Sequence, residues 1–195
     1  MLKRGQLIVT AFLLLGILGC GGLRYSEMSP EARDFHPRAI AVLPSDSRAF
    51  AEARGEVDRI FADVLTRRGW FAKVLGGEEI SRRMAADEAF RQLVSDYQGK
   101  LTNVSFSDQA LSSRLGELTG TEAFVLVRVD YWNYATENDT KIGKVSLTLT
   151  LVEAKTGKII WTAGHHRVSE YRIIKPDLPD VARALIEEMV GHMPR

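Results

Sequence analysis

Lys144 to Leu151 alternates without a break, with Val145, Leu147, Leu149 and Leu151 in one set of positions and Lys144, Ser146, Thr148 and Thr150 in the other. A period of two sends successive side chains to opposite faces of a strand. This segment therefore needs a sheet with one face on an apolar core and one face toward water. Its neighbours extend that requirement. Ala123 to Val129 is apolar at both sets of positions, as in a central strand covered on both faces, and the pattern runs on toward Tyr134. Thr136 to Thr140 reads as a polar turn, and Lys155-Thr156-Gly157 turns the chain into a further strand from Lys158 to about Val168.

The first half follows a different rhythm. Ala39 to Leu43 is a continuous apolar run stopped by Pro44, which suits a buried strand. Val57, Ile60, Phe61, Val64 and Leu65 then recur at helical spacing, with Arg67, Arg68 and Gly69 at the end as a dipole-matched stop. Trp70 to Leu75 predicts a short strand. A second helix is expected from near Glu78 through Ile80, Met84, Phe90, Leu93, Val94 and Tyr97, with a break over residues 99–106. Ser107 and Asp108 can cap a third helix that carries Leu111, Leu115 and Leu118 and ends at Gly120. Pro176 and Pro179 precede a last amphipathic helix bearing Val181, Leu185, Ile186, Met189 and Val190. The expected fold class is α/β in the α+β sense. It is a mixed sheet flanked by helices in the order β-α-β-α-α-β-β-β-α.

The N-terminus adds an address. Lys3 and Arg4 precede a charge-free apolar run from Leu7 to Leu18, followed by Ile17-Leu18-Gly19-Cys20 and then Gly21-Gly22. About a dozen residues make roughly 18 Å of helix, short for a bilayer core of about 30 Å. A positive start, short apolar centre and small-residue exit read as an export signal. The exit resembles the bacterial lipobox, which implies cleavage before Cys20 and lipidation of its thiol. The expected organisation is a signal over 1–19, a lipidated Cys20 with a tether over 20–38, and one periplasmic domain over 39–195. Removing 1–19 takes out Lys3 and Arg4, so 24 of the 26 basic residues remain against 25 acidic ones, a net charge of −1. Such a balance gives no reason to invoke nucleic acid. Cys20 is the only cysteine, so the mature domain folds without disulfides.

No catalytic constellation stands out. His165 and His166 are adjacent, so on a strand they point to opposite faces and do not share a metal, while His36 and His192 lie near the two ends. Gly76-Gly77-Glu78-Glu79 is too short and too acidic to cradle phosphate. No nucleophile elbow accompanies the serines. The expectation is a non-enzyme with no cofactor and no metal. Tyr131, Trp132 and Tyr134 cluster at the end of the central strand. Packing in the core explains them, and so does a protein-docking patch, since aromatic groups give large contact area at low entropic cost.

Ile40-Ala41-Val42-Leu43-Pro44 before an amphipathic helix, Gly69-Trp70-Phe71, Gly120-Thr121-Glu122-Ala123 and the run from Val152 to Trp161 together resemble the envelope lipoprotein group that includes CsgG, LpoB and the N-terminal domain of TolB. That resemblance implies a non-catalytic protein that builds or docks onto envelope assemblies. The extra membrane hairpins of CsgG-like pores have no counterpart in this sequence, and the eighteen-residue tether is short beside LpoB-like linkers. The function expected is an interaction or assembly module at the outer membrane facing the periplasm, held by its lipid anchor and partnered by other envelope proteins or by itself. The alternative is an accessory lipoprotein of an envelope transport system that binds a small apolar ligand.

Overall fold

A computed structural model describes residues 22–104 and 106–195. Cys20 and the signal lie outside the described residues. Six strands form one mixed sheet: β1 (Tyr25–Met28), β2 (Ala39–Val42), β3 (Lys73–Leu75), β4 (Ala123–Glu137), β5 (Thr140–Glu153) and β6 (Ile159–Tyr171). Their order across the sheet is β1-β6-β5-β4-β2-β3, with β2 parallel to β3 and β4 and the other pairings antiparallel. Five α-helices flank it: α1 (Glu56–Arg68), α2 (Gly77–Ala86), α3 (Glu88–Val104), α4 (Gln109–Thr119) and α5 (Leu178–Gly191). None of the described helices is long and apolar enough to cross a membrane.

Local sequence accounts for most boundaries. Gly69 and Gly120 close α1 and α4 in the left-handed region, at φ 65° and 63°, where a side chain would be strained. Asp108 caps α4 by accepting from the N–H groups of Ala110 and Leu111. The β4–β5 hairpin turns on Asn138 and Asp139 alone, both at positive φ, as a right-twisted two-residue hairpin requires.

Two departures have identifiable causes. The helix expected from Glu78 through Tyr97 is two helices, because Asp87 is extended and its carboxylate accepts the Phe90 N–H at 3.0 Å, capping α3. The segment expected as a free tether also carries structure. Tyr25–Met28 adds an edge strand to β6, Ser26 Oγ accepts from Trp161 Nε1 at 2.8 Å, and Ala32 and Phe35 are buried. Backbone pairing with an open strand edge needs no apolar periodicity, so composition does not disclose it.

The sheet is covered unequally. Against one face α1 and α5 pack Val57, Ile60, Phe61, Leu185, Ile186 and Met189 onto Val125, Val127, Val145, Leu147 and Leu149. Arg183 of α5 binds Asp63 of α1 at 2.6 Å, tying the two helices together. On the other face α2, α3 and α4 bury a second cluster (Ile80, Phe90, Val94, Tyr97 and Leu115) on Ala41, Leu43, Phe124, Leu126 and Val152. That second layer ends near Leu126. Beyond it, none of the described helices buries an apolar cluster on this face of the far halves of β4 and β5 or of most of β6.

Candidate interaction surface

The uncovered face is where this chain presents chemistry to its surroundings. Antiparallel register lines up Arg128, Thr148, Gly164 and Tyr25 in one row across four strands. Tyr25 lies flat over Gly164, where any side chain would overlap its ring. Its hydroxyl reaches Thr148 Oγ1 at 3.2 Å. Thr148 Oγ1 donates to Asp130 Oδ2 at 2.6 Å and accepts from the Arg128 guanidinium at 3.3 Å, while Arg128 Nε donates to Asp130 Oδ1 at 2.7 Å. The sequence places Thr148 on a solvated face, but this network leaves it 8% exposed. The N-terminal strand supplies the cover.

Beside this row runs a groove of about 330 Å³, lined by Glu27, Asp46, Gln98, Arg128, Thr150 and Thr162 among others. Asp46 joins it from the loop after β2, bridging backbone to Arg128, and hydrogen bonds from Arg48 hold its carboxyl below the usual range. Further along β5 and β6, burial pushes the His166 imidazole down, helped by His165 and Lys144.

The three aromatic residues picked out from the sequence do not form one patch. A β-bulge between Val129 and Tyr131 inserts Asp130 and inverts the strand's alternation. Val125, Val127 and Val129 face the α1–α5 layer before it, and Trp132 faces that layer after it. Trp132 is 4% exposed, so its assignment to partner contact is corrected: the indole is core. Tyr134 is half-buried on the same side. Its hydroxyl donates to the Pro176 carbonyl at 2.8 Å, and its ring meets Tyr171 edge-on at 5.9 Å. Tyr134 thus supports the β6–α5 loop from beneath. Tyr131 alone reaches the uncovered face, half-buried between the Phe50 ring at 5.9 Å and the Lys144 ammonium at 5.7 Å.

His165 and His166 occupy opposite faces. His165 pairs with Leu147 on the α5 side and lies 3.4 Å from Glu188, while His166 pairs with Ser146 on the uncovered side. Among the described residues no group of three or more His, Cys, Asp or Glu side chains is arranged to hold a metal ion. The Arg128–Asp130–Thr148–Tyr25 network was not singled out from sequence. The β4–β5 pairing brings Arg128, Asp130 and Thr148 together, and the β1 pairing adds Tyr25 from 123 residues away.

No protein-family model matches the chain, and no curated protein sequence matches it. Among solved structures, its fold is similar to that of the PelC dodecamer from Paraburkholderia phytofirmans, with a TM-score of 0.54 and 15% identity over 87% of this chain and 95% of that one. It is similar more loosely to lipoprotein GNA1162 from Neisseria meningitidis, with a TM-score of 0.49 and 15% identity over 80% and 99% of the two chains. The comparisons do not confirm the resemblance to the CsgG, LpoB and TolB group. At this identity what is shared is the fold: a mixed α+β domain with a six-stranded sheet between helices.

Proposed function

We propose that this protein is a bacterial envelope lipoprotein, anchored through Cys20, which acts without catalysis as an assembly module and docks a partner, first of all a second copy of itself, on the uncovered face of its sheet. The observation that carries this reading is the unequal covering of the sheet. β4, β5 and β6 are 13 to 15 residues long, yet their outer halves lack a second layer. A sheet face left open in this way is an economical place for another chain to pack. The PelC protein that shares the fold is a dodecamer, which supports self-association as the first form to test.

The groove on this face carries Asp46, Gln98, Arg128 and threonine hydroxyls. Leu101, Leu126 and Ile159 line the same groove, a mixed surface of the kind protein interfaces carry. Thr162 sits at the inner border of the face, opposite Thr150 and in the row of Leu126, where the helix layer ends and the groove begins. In mild detergent, the mature protein is expected to sediment as an oligomer, and Thr162→Arg to sediment as a folded monomer. A variant that assembles like the wild type would move the interface elsewhere. A wild type that stays monomeric and crosslinks to no envelope protein would sink the assembly reading. The anchor is tested separately, with a fatty-acid analogue that marks wild type and leaves Cys20→Ala unmarked.

A further inference from the structure

Eight large apolar side chains are well exposed among the described residues, and six of them lie on β1, β6 or the segment that follows β6. The extreme pair is Ile173 and Ile174, at 91% and 85% exposed, on the loop between β6 and α5. Leaving two β-branched aliphatic side chains in water is costly, and this loop does not flop them outward by being slack. Its base is held by the Tyr134 hydroxyl on the Pro176 carbonyl, by Lys175 Nζ over the Tyr134 ring at 4.6 Å, and by Pro176 packed where Gly143 has no side chain. Arg172 and Lys175 flank the pair, an arrangement in which aliphatic groups enter a lipid interface while long cationic side chains stay at headgroup level.

The direction of β1 identifies the occupant. β1 runs antiparallel to β6, with Tyr25 opposite Gly164 and Met28 opposite Trp161, so the chain upstream of Tyr25 leaves toward the end of β6 that carries Ile173 and Ile174. Cys20 precedes Tyr25 by five Cα–Cα steps, a reach of at most about 18 Å. Along β6, seven residues separate Gly164 from Tyr171, so the loop lies roughly 25 Å beyond Tyr25 at about 3.3 Å per residue. The described N-terminal residues and the loop thus lie toward the same end of β6. Both meet one surface when the strand axis is inclined by about 45° or more from the membrane normal. Four loop residues fall far short of the 20–30 residues a side of a stable protein interface, which argues against a second copy here.

We infer that the Ile173–Ile174 loop is a second membrane contact, inserting into the same lipid surface that holds the anchor and fixing the tilt of the domain over it. This rests on the lipid-anchor reading above. Acidic Glu170 on β6 and Asp177 at the end of the loop offset the two cations, so the aliphatic pair supplies the contact and anionic lipid matters little.

Lipidated Cys20 is blocked to thiol reagents, so Ile174→Cys introduces the single free thiol for an environment-sensitive NBD label. The labelled mature protein is reconstituted in phosphatidylethanolamine vesicles with a minor share of phosphatidylglycerol, with and without nitroxide on the lipid acyl chains. Quenching of at least about twofold is expected at position 174, and none at a Leu118→Cys control on α4. Adding Ile173→Asp is expected to abolish the quenching while the protein still floats with vesicles. If wild type and Cys20→Ala float equally poorly, the anchor reading fails. If the protein floats and the label at 174 is unquenched, the loop contact fails while the anchor stands. Unquenched label that crosslinks between copies assigns the loop to a protein contact instead.

Discussion

Trp132→Ala removes a side chain that is 4% exposed and packed with Val129, Val145 and the α5 residues of the larger core. An indole of this kind buries about 150–250 Å², which at about 25 cal/mol per Å² bounds the loss at roughly 4–6 kcal/mol. Measured truncations of buried Phe and Trp cost about 3–5 kcal/mol, and that is the expected loss here. Against a typical total stability of about 5–15 kcal/mol, the variant is marginal or unfolded at room temperature. Tyr131→Ala is the matched control. Tyr131 is half-buried and keeps mainly its Phe50 and Lys144 contacts, so its loss is expected at about 1–2 kcal/mol. Urea denaturation followed by circular dichroism measures both. The comparison tests the bulge at Asp130 directly, because without it alternation from Val129 would turn Tyr131 inward and Trp132 outward. A Tyr131→Ala loss equal to or larger than that of Trp132→Ala would refute the phase inversion.

Three further outcomes are expected. Leu149→Ala, at a position with no exposure, should cost about 2–5 kcal/mol, and Thr148→Val about 0.5–1.5 kcal/mol because it removes the hydroxyl's hydrogen bonds to Asp130 and Arg128, which keep their own ion pair; a neutral Thr148→Val would mean the network is open to water. Gly164→Ala should push the Tyr25 ring off β6, speeding hydrogen exchange at residues 25–28 while β4 and β5 stay protected, and unchanged exchange there would mean β1 is not held by that packing. Burial raises the Asp58 carboxyl above its ordinary value, against hydrogen bonding from Ser45 (whose N–H donates at 2.8 Å), so its contribution is present below the unfolded pKa and lost as pH rises through the folded one. Urea titrations between about pH 4 and 7 should therefore show Asp58→Asn gaining on wild type as pH rises, and a parallel pH dependence in the two proteins would rule this out.

Local sequence determined the elements that need only local physics. The alternation from Lys144 to Leu151 put Leu147 and Leu149 in the core, Gly69 and Gly120 ended helices, Asp108 began one, and helical spacing marked the inner faces of α1 and α5. Each is a short-range match between side-chain period, cap chemistry and backbone geometry, and it reads the same in any tertiary context. The sequence also carries Ile17-Leu18-Gly19-Cys20, whose resemblance to a lipobox is a chemical address that does not depend on the fold. Tertiary structure decided what depends on distant pairing. The bulge at Asp130 is an offset between β4 and β5, invisible along β4 itself, and it moved Trp132 from a candidate contact into the core. Pairing of Tyr25–Met28 with β6 turned tether into sheet, covered Thr148 and joined Tyr25 to the Arg128–Asp130–Thr148 network of the β4–β5 hairpin. The same pairing directs the described chain upstream of Tyr25 toward the end of β6 that precedes Ile173 and Ile174. A strand edge accepts a backbone through N–H and C=O groups that every residue carries, so which segment docks there is settled by the whole fold.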